Sequence, residues 1–211
     1  MAQRCVSMGS QNVLDLRTAG GIFGRGAIQA PAAAAAVAAG SECQVFLDQR
    51  GQNATSNMAV GLTNADANFF GGICPNGEVV TLFGLQIAFW TATGATDIPI
   101  AGTPVMSQEV QEFCSVSLQL KGTQYNIGNV SLYPSGIGVN NSAMGNNGGR
   151  AVIPFRFPKG APIQLRSNDQ FYLTIRAELA GITLGNNADK IIFQVYCPAS
   201  RGVALSNLSG A

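Results

Sequence analysis

The chain has 211 residues, long enough for one domain with its own core, and 46% of them are hydrophobic. Only 11% are charged, against roughly 25% in an ordinary soluble domain, and the formal net charge is +1, so copies repel one another weakly and association is favoured. There is no histidine, which excludes Ser-His-Asp and Cys-His catalysis and removes the commonest metal ligand.

Residues 1–40 lack sustained apolar alternation. Gly20, Gly21, Gly24 and Gly26 are followed by Pro31 and an alanine run, a composition that predicts an extended arm. Residues 1–12 are polar, without the apolar stretch of a secretory signal, and the alanine run at 30–39 is too short to span a bilayer, so no transmembrane segment is expected. Asp15 offsets one of Arg4, Arg17 and Arg25, which gives the arm no polybasic nucleic-acid signal. The first strand is expected at 43–48, followed by a polar, Asn-rich connection over 49–69 that passes over the surface or holds a short helix. Pro75-Asn76-Gly77 then turns the chain into a strand over 78–91 that is apolar on both faces. That strand sets Val79, Thr81, Phe83, Leu85, Ile87 and Phe89 against Val80, Leu82, Ala88 and Trp90.

Cys114, Val116, Leu118 and Leu120 alternate with polar residues as a one-sided strand. Just before it, Met106, Val110 and Phe113 fit either a helical turn or the start of a longer strand, and the strand is preferred. Lys121-Gly122 is a turn into residues 125–133, and 134–150 form a Gly/Asn-rich loop. Ala151, Ile153, Phe155 and Phe157 read as the next strand, turned by Pro158-Lys159-Gly160 into Ile163 and Leu165. Phe171, Leu173, Ile175, Ala177 and Leu179 are then predicted to bury one face. Ile191, Phe193, Val195 and Cys197 do the same opposite a set containing Lys190 and Gln194. Residues 200–211 are a polar tail.

No chemistry-bearing motif emerges, so no catalytic, cofactor-binding or metal-ligating residue is assigned and an enzyme is not expected. Cys5, Cys43, Cys74, Cys114 and Cys197 are scattered and odd in number, without C-x-x-C, and read as buried reduced thiols of a protein folded in a reducing cytoplasm. Asn64, Asp66 and Asn68 place oxygens at alternate positions as a calcium loop does, but Phe69 stands where such a loop needs glycine and Pro75 where it needs glutamate. Glu109 and Glu112 would lie on opposite faces of a strand, which spoils them as a glycosidase pair. Trp90 reads as core before it reads as a sugar platform. Arg150, Arg156, Lys159 and Arg166, with Arg176, are strand-edge and turn cations more simply than a nucleic-acid stripe.

About eight strands over 41–199, with no helix long enough for a βαβ crossover, predict an all-β fold. The expected form is an eight-stranded antiparallel β-sandwich of jelly-roll type, with residues 1–40 as an extended N-terminal arm and 200–211 as a C-terminal tail; an up-and-down barrel is the alternative. The loose arm through Gly40, the strand series from Cys43 to Cys197 with long Gly/Asn loops, and Ser167-Asn168-Asp169-Gln170 turning into residues 171–178 resemble the single jelly-roll capsid proteins of icosahedral viruses, bacteriophage virion proteins in particular. The resemblance implies a structural virion protein. It would be made in the host cytoplasm and self-associate into a capsid shell, with its sheets in the wall, its arms on neighbouring copies and other virion proteins as further partners. A carbohydrate- or receptor-binding module, lectin-like or tail-spike-like, is the second expectation, with a glycan as its ligand.

Overall fold

The computed structural model describes residues 21–52, 57–58, 61–93, 99–100, 104–133, 155–157, 162–178 and 182–203. In chain order the elements begin with β1 (Ile22–Gln29), β2 (Ala36–Val37), β3 (Glu42–Val45), β4 (Glu78–Leu82), β5 (Gly84–Thr93) and β6 (Pro99–Ile100). Helix α1 (Pro104–Phe113) leads into β7 (Cys114–Leu120), β8 (Thr123–Asn129) and a 3-10 turn (Val130–Leu132). Then come β9 (Phe155–Arg156), β10 (Ile163–Arg166), β11 (Phe171–Ala177), β12 (Ile182–Thr183), β13 (Asp189–Cys197) and β14 (Ala199–Val203). The protein is thus mostly β, in antiparallel sheets.

One layer is a bent sheet. Its main part runs β1-β13-β5-β6 with β9 also on β5, and it continues as β10-β4-β14. The bend falls where β5 passes into β4 and β13 into β14. There the Phe83 amide donates to the Pro198 carbonyl at 2.8 Å, and the Phe83 carbonyl accepts from the Phe157 amide at 2.9 Å. The expected single strand over 78–91 is therefore two strands. Val80 and Leu82 face the core on one side of the break and Leu85, Ile87 and Phe89 on the other, so the alternation slips by one residue at Phe83-Gly84. Phe83 is left 44% exposed, where the sequence reading had set it beside Leu85.

The second layer is the ladder β3-β11-β7-β8. Phe171, Leu173, Ile175 and Ala177 of β11 are buried as the alternation predicts, and so are Cys114, Val116 and Leu118 of β7. Lys121-Gly122 closes β7 on β8 as a two-residue turn with both φ angles positive, 51° and 84°, which suits the twist of the strands it joins. At the same end of the ladder, the turn at 166–170 that leads into β11 is fixed by Asp169. Its carboxylate accepts from the Arg166 amide at 2.8 Å and pairs with Lys121 at 3.1 Å. Partial burial pushes the Asp169 carboxyl up, but the Arg166 amide and the Lys121 ammonium outweigh it and leave its pKa below the ordinary value.

A single apolar core lies between the layers, with Ile191, Phe193, Val195 and Cys197 on one side and β3, β7 and β11 on the other. Phe46, Phe69 and Phe171 form an aromatic cluster in it, with ring centroids 5.5–5.9 Å apart. Phe46 has φ of 78°, which breaks the alternation after Val45 so that two successive residues both point inward.

Three further expectations are overturned. The arm was expected to run through Gly40, yet residues 22–29 are a strand of the bent sheet, paired with β13 from Ile22↔Cys197 to Gln29↔Lys190. Its inward positions are Ile22, Gly24, Gly26 and Ile28, so the period-2 pattern is present with glycine in two places. Glycine is needed there because the other layer presses on it. A Cβ at Gly24 would lie 2.7 Å from the Phe46 ring and one at Gly26 3.0 Å from Cys43 Sγ. Residues 1–20, 134–154, 158–161, Leu179 and 204–211 lie outside the described residues, and with them the first half of the expected arm, the Gly/Asn-rich loop, the turn at 158–160 and the end of the expected tail. The second correction is α1. The strand preferred before Cys114 is a helix that starts at Pro104, where the fixed proline φ suits a first turn, and buries Val110 in the core. The third is the tail expected over 200–211: residues 200–203 continue β14, whose backbone pairs with β4 from Ser200↔Thr81 to Val203↔Glu78 and whose Arg201 bonds Glu78.

Candidate functional site

The described residues of the polar connection over 49–69 cover part of the outer face of the bent sheet. Met58 and Leu62 form a second small apolar cluster with Ala27, Ala92 and Ile192, and Trp90 and Phe70 pack at its rim. Asn64, Asp66 and Asn68 belong to this cover, but their oxygens diverge. The Asn64 side chain accepts from Arg50. Asp66 accepts from Arg25 at 2.7 Å through one oxygen, and through the other from the Thr63 amide and hydroxyl. Asn68 accepts from the Phe23 amide at 2.8 Å and donates to the Gly21 carbonyl at 2.9 Å. A guanidinium already sits where a cation would; Asp66 and Asn68 hold the cover onto β1, while Asn64 ties the cover to itself through Arg50. Arg25 also lies over Trp90, 5.1 Å from the ring centroid, and bonds Gln194. Trp90 thus packs on the outer face of the bent sheet under a cation, away from the core between the layers.

The sequence-predicted acids and cations are not gathered into one site. Although α1 is helical, Glu109 reaches away to accept from the Thr183 amide at 2.8 Å, while Glu112 accepts from Gln108 at 3.0 Å. Arg166 lies on β10 of one layer and Arg176 on β11 of the other, while Arg150 and Lys159 lie outside the described residues. Among the described residues no group of three or more His, Cys, Asp or Glu is placed to hold a metal ion, and no helix is long and apolar enough to cross a membrane.

The surface that the sequence reading missed is the outer face of β3-β11-β7-β8. Two adjoining shallow clefts of about 360 and 340 Å³ lie on it. Glu42, Ser117, Gln124, Thr174 and Arg176 line the first, Glu112, Phe113 and Asn129 line the second, and both share Ser115, Asn126 and Glu178. The Ser115 hydroxyl donates to Glu178, whose other oxygen lies 3.8 Å from Arg176. The signal was present in the alternate residues of β7 and β11, which are the polar half of the pattern that gave the core. Hydroxyls, amides and carboxylates spaced over four strands suit hydrogen bonding to another polar surface.

The four described thiols behave as their sequence context predicts, and Cys5 lies outside the described residues. Cys43, Cys74, Cys114 and Cys197 are free and buried. Burial raises all four pKa values, with Cys74 reaching about 11 and Cys114 about 12, so none is a ready nucleophile at neutral pH. Because the folded values exceed the ordinary 9.0, this contribution to stability is complete below that pH and lost as pH rises from it through the folded values. Urea midpoints measured across the alkaline range are expected to be flat below about pH 8 and to fall above about pH 9. Conversion of the four buried cysteines to alanine should flatten the fall.

Comparison with protein-family models, with curated proteins and with solved structures finds no match to this chain.

Proposed function

We propose that this protein is a structural virion protein, a single jelly roll that associates with its own copies to build an icosahedral shell. The observation that carries the reading is strand order. Among β1, β3, β5, β7, β8, β9, β11 and β13, taken as first to eighth, one ladder runs first-eighth-third-sixth and the other second-seventh-fourth-fifth. Two interleaved Greek keys generate that order, an arrangement recurrent in viral capsid and lectin domains. The low charge, the lack of histidine and the buried thiols fit a building block, and the fold itself does not specify function.

The polar clefts over Ser115, Ser117, Asn126 and Thr174 favour a second reading, a glycan- or receptor-binding module on the same fold. Light scattering across a concentration series, with negative-stain imaging of the purified full chain, separates the two. Closed particles or regular rings are the expected result. A small species at every concentration whose melting temperature rises with a glycan, and rises less in Asn126→Ala, would replace the shell by the binding module.

A further inference from the structure

Among the described residues, most edge strands of the three larger sheets carry a guard. On β1, Asn68 imitates a neighbouring strand: its side chain bonds the Phe23 amide and the Gly21 carbonyl, and its own amide donates to the Phe23 carbonyl at 3.0 Å. β3 carries Glu42, β10 carries Arg166 behind Pro162, β14 carries Arg201, and β6 begins with Pro99. Charges, proline and covering groups are the usual means of keeping an edge from pairing with another chain. β8, the last strand of its ladder among the described residues, has none of them over its first half. Its sequence, Thr-Gln-Tyr-Asn-Ile-Gly-Asn, contains no charge and no proline.

The two halves of β8 differ. In the second half, Gly128 donates to the Asn126 side chain at 3.0 Å, the Ile127 carbonyl accepts from the Tyr133 hydroxyl, and Leu132 folds over Gly128. In the first half, Thr123, Gln124, Tyr125 and Asn126 are all exposed. Two of the large exposed hydrophobic side chains flank this edge, Tyr125 at 49% and Leu132 at 54%.

We propose that the Thr123–Asn126 edge of β8 pairs antiparallel with the same edge of a second copy about a two-fold axis centred on Tyr125. The occupant is a second copy because the strand is complementary to itself. With Tyr125 opposite Tyr125, Gln124 faces Asn126 of the other copy twice, so two amide pairs form on the cleft face and two aromatic rings meet on the other. No like charges are brought together, and the net charge of +1 offers little opposition. The pairing would join two four-stranded ladders into one continuous sheet and bring together the two clefts lined by Gln124 and Asn126. The contact is short, well below the roughly 1,200 Å² of a standard stable interface, so it is a weak contact of the kind that acts in numbers.

The inference deepens the shell reading by naming one contact, and cross-linking tests it separately. In the full chain with Cys5→Ser, Tyr125→Cys is expected to form disulfide-linked dimers under mild oxidant about tenfold faster than Gln164→Cys on β10, because antiparallel partners lie within disulfide reach. Equal rates would overturn the pairing. Tyr125→Lys should lower the weight-average mass at a fixed concentration without changing the melting temperature, and an unchanged mass would overturn it as well. Particles formed equally by Tyr125→Lys and wild type would reject the β8 contact and leave the shell standing. Rapid Tyr125→Cys cross-linking in a protein that never forms particles would keep the contact and remove the shell.

Discussion

Alanine at Phe171 is expected to destabilise the protein by about 3–5 kcal/mol in urea denaturation, with little change in the slope of the transition. Phe171 is 2% exposed and lies against both Phe46 and Phe69, so truncation removes an aromatic ring and leaves a hole bounded by two others. One of those neighbours, Phe46, is held at a positive φ and cannot easily swing into the space. Alanine at Phe193, fully buried on the opposite layer 6.3 Å from Phe89, should cost a similar amount. Alanine at Thr174, on the outward face of β11, should stay within about 0.5 kcal/mol. A loss below about 1 kcal/mol at Phe171 would mean that β11 pairs one residue out of the register Phe171↔Leu120 to Ala177↔Cys114.

Removal of residues 1–40 is expected to abolish cooperative folding. A free arm could be cut away without harm, but this deletion takes out β1. With it go the fully or nearly fully buried Ile22, Ala27 and Ile28, the whole β1-β13 ladder, and the Arg25 anchor of the cover over the second cluster. Burial of Ile22 and Ile28 alone stabilises by about 3–6 kcal/mol, comparable with the 5–15 kcal/mol total of a typical domain. It would also leave β13 as a long apolar edge, which invites aggregation. Thermal unfolding followed by circular dichroism checks this, and the full-length double variant Ile22→Ala/Ile28→Ala should show a large fall in midpoint. A cooperative transition in the truncated protein at the wild-type midpoint would place β1 outside the folded unit.

The inward register of β7, β11 and β13 was legible from the sequence because bulky apolar residues alternate there with polar ones, and that pattern records which face is dry without reference to any partner. The two-residue turn at Lys121-Gly122 was legible because its backbone demand is local. The buried thiols were legible from their places in those same alternating runs. The candidate surface was half legible: Ser115, Ser117, Thr174 and Arg176 were seen only as the wet half of the strand pattern, and their convergence with Glu42 and Asn126 across four strands depends on pairing between distant segments.

Other features depend on what packs opposite, and a linear pattern does not carry that. Gly24 and Gly26 looked like loop residues, and only the pressure of Phe46 and Cys43 from the other layer makes them inward strand positions. The run over 78–91 looked continuous because both faces are apolar, which hides a one-residue slip; the slip at Phe83 is set by the Pro198 and Phe157 backbones that meet it there. The segment before Cys114 satisfied both periods, and burial of Val110 against the core goes with the helical one. Lys190, expected opposite the core, is fully buried on a face covered by the 49–69 connection. By itself the sequence determined which residues must leave water; the tertiary structure decided which segments they meet, because that choice is made by contacts between residues far apart in the chain.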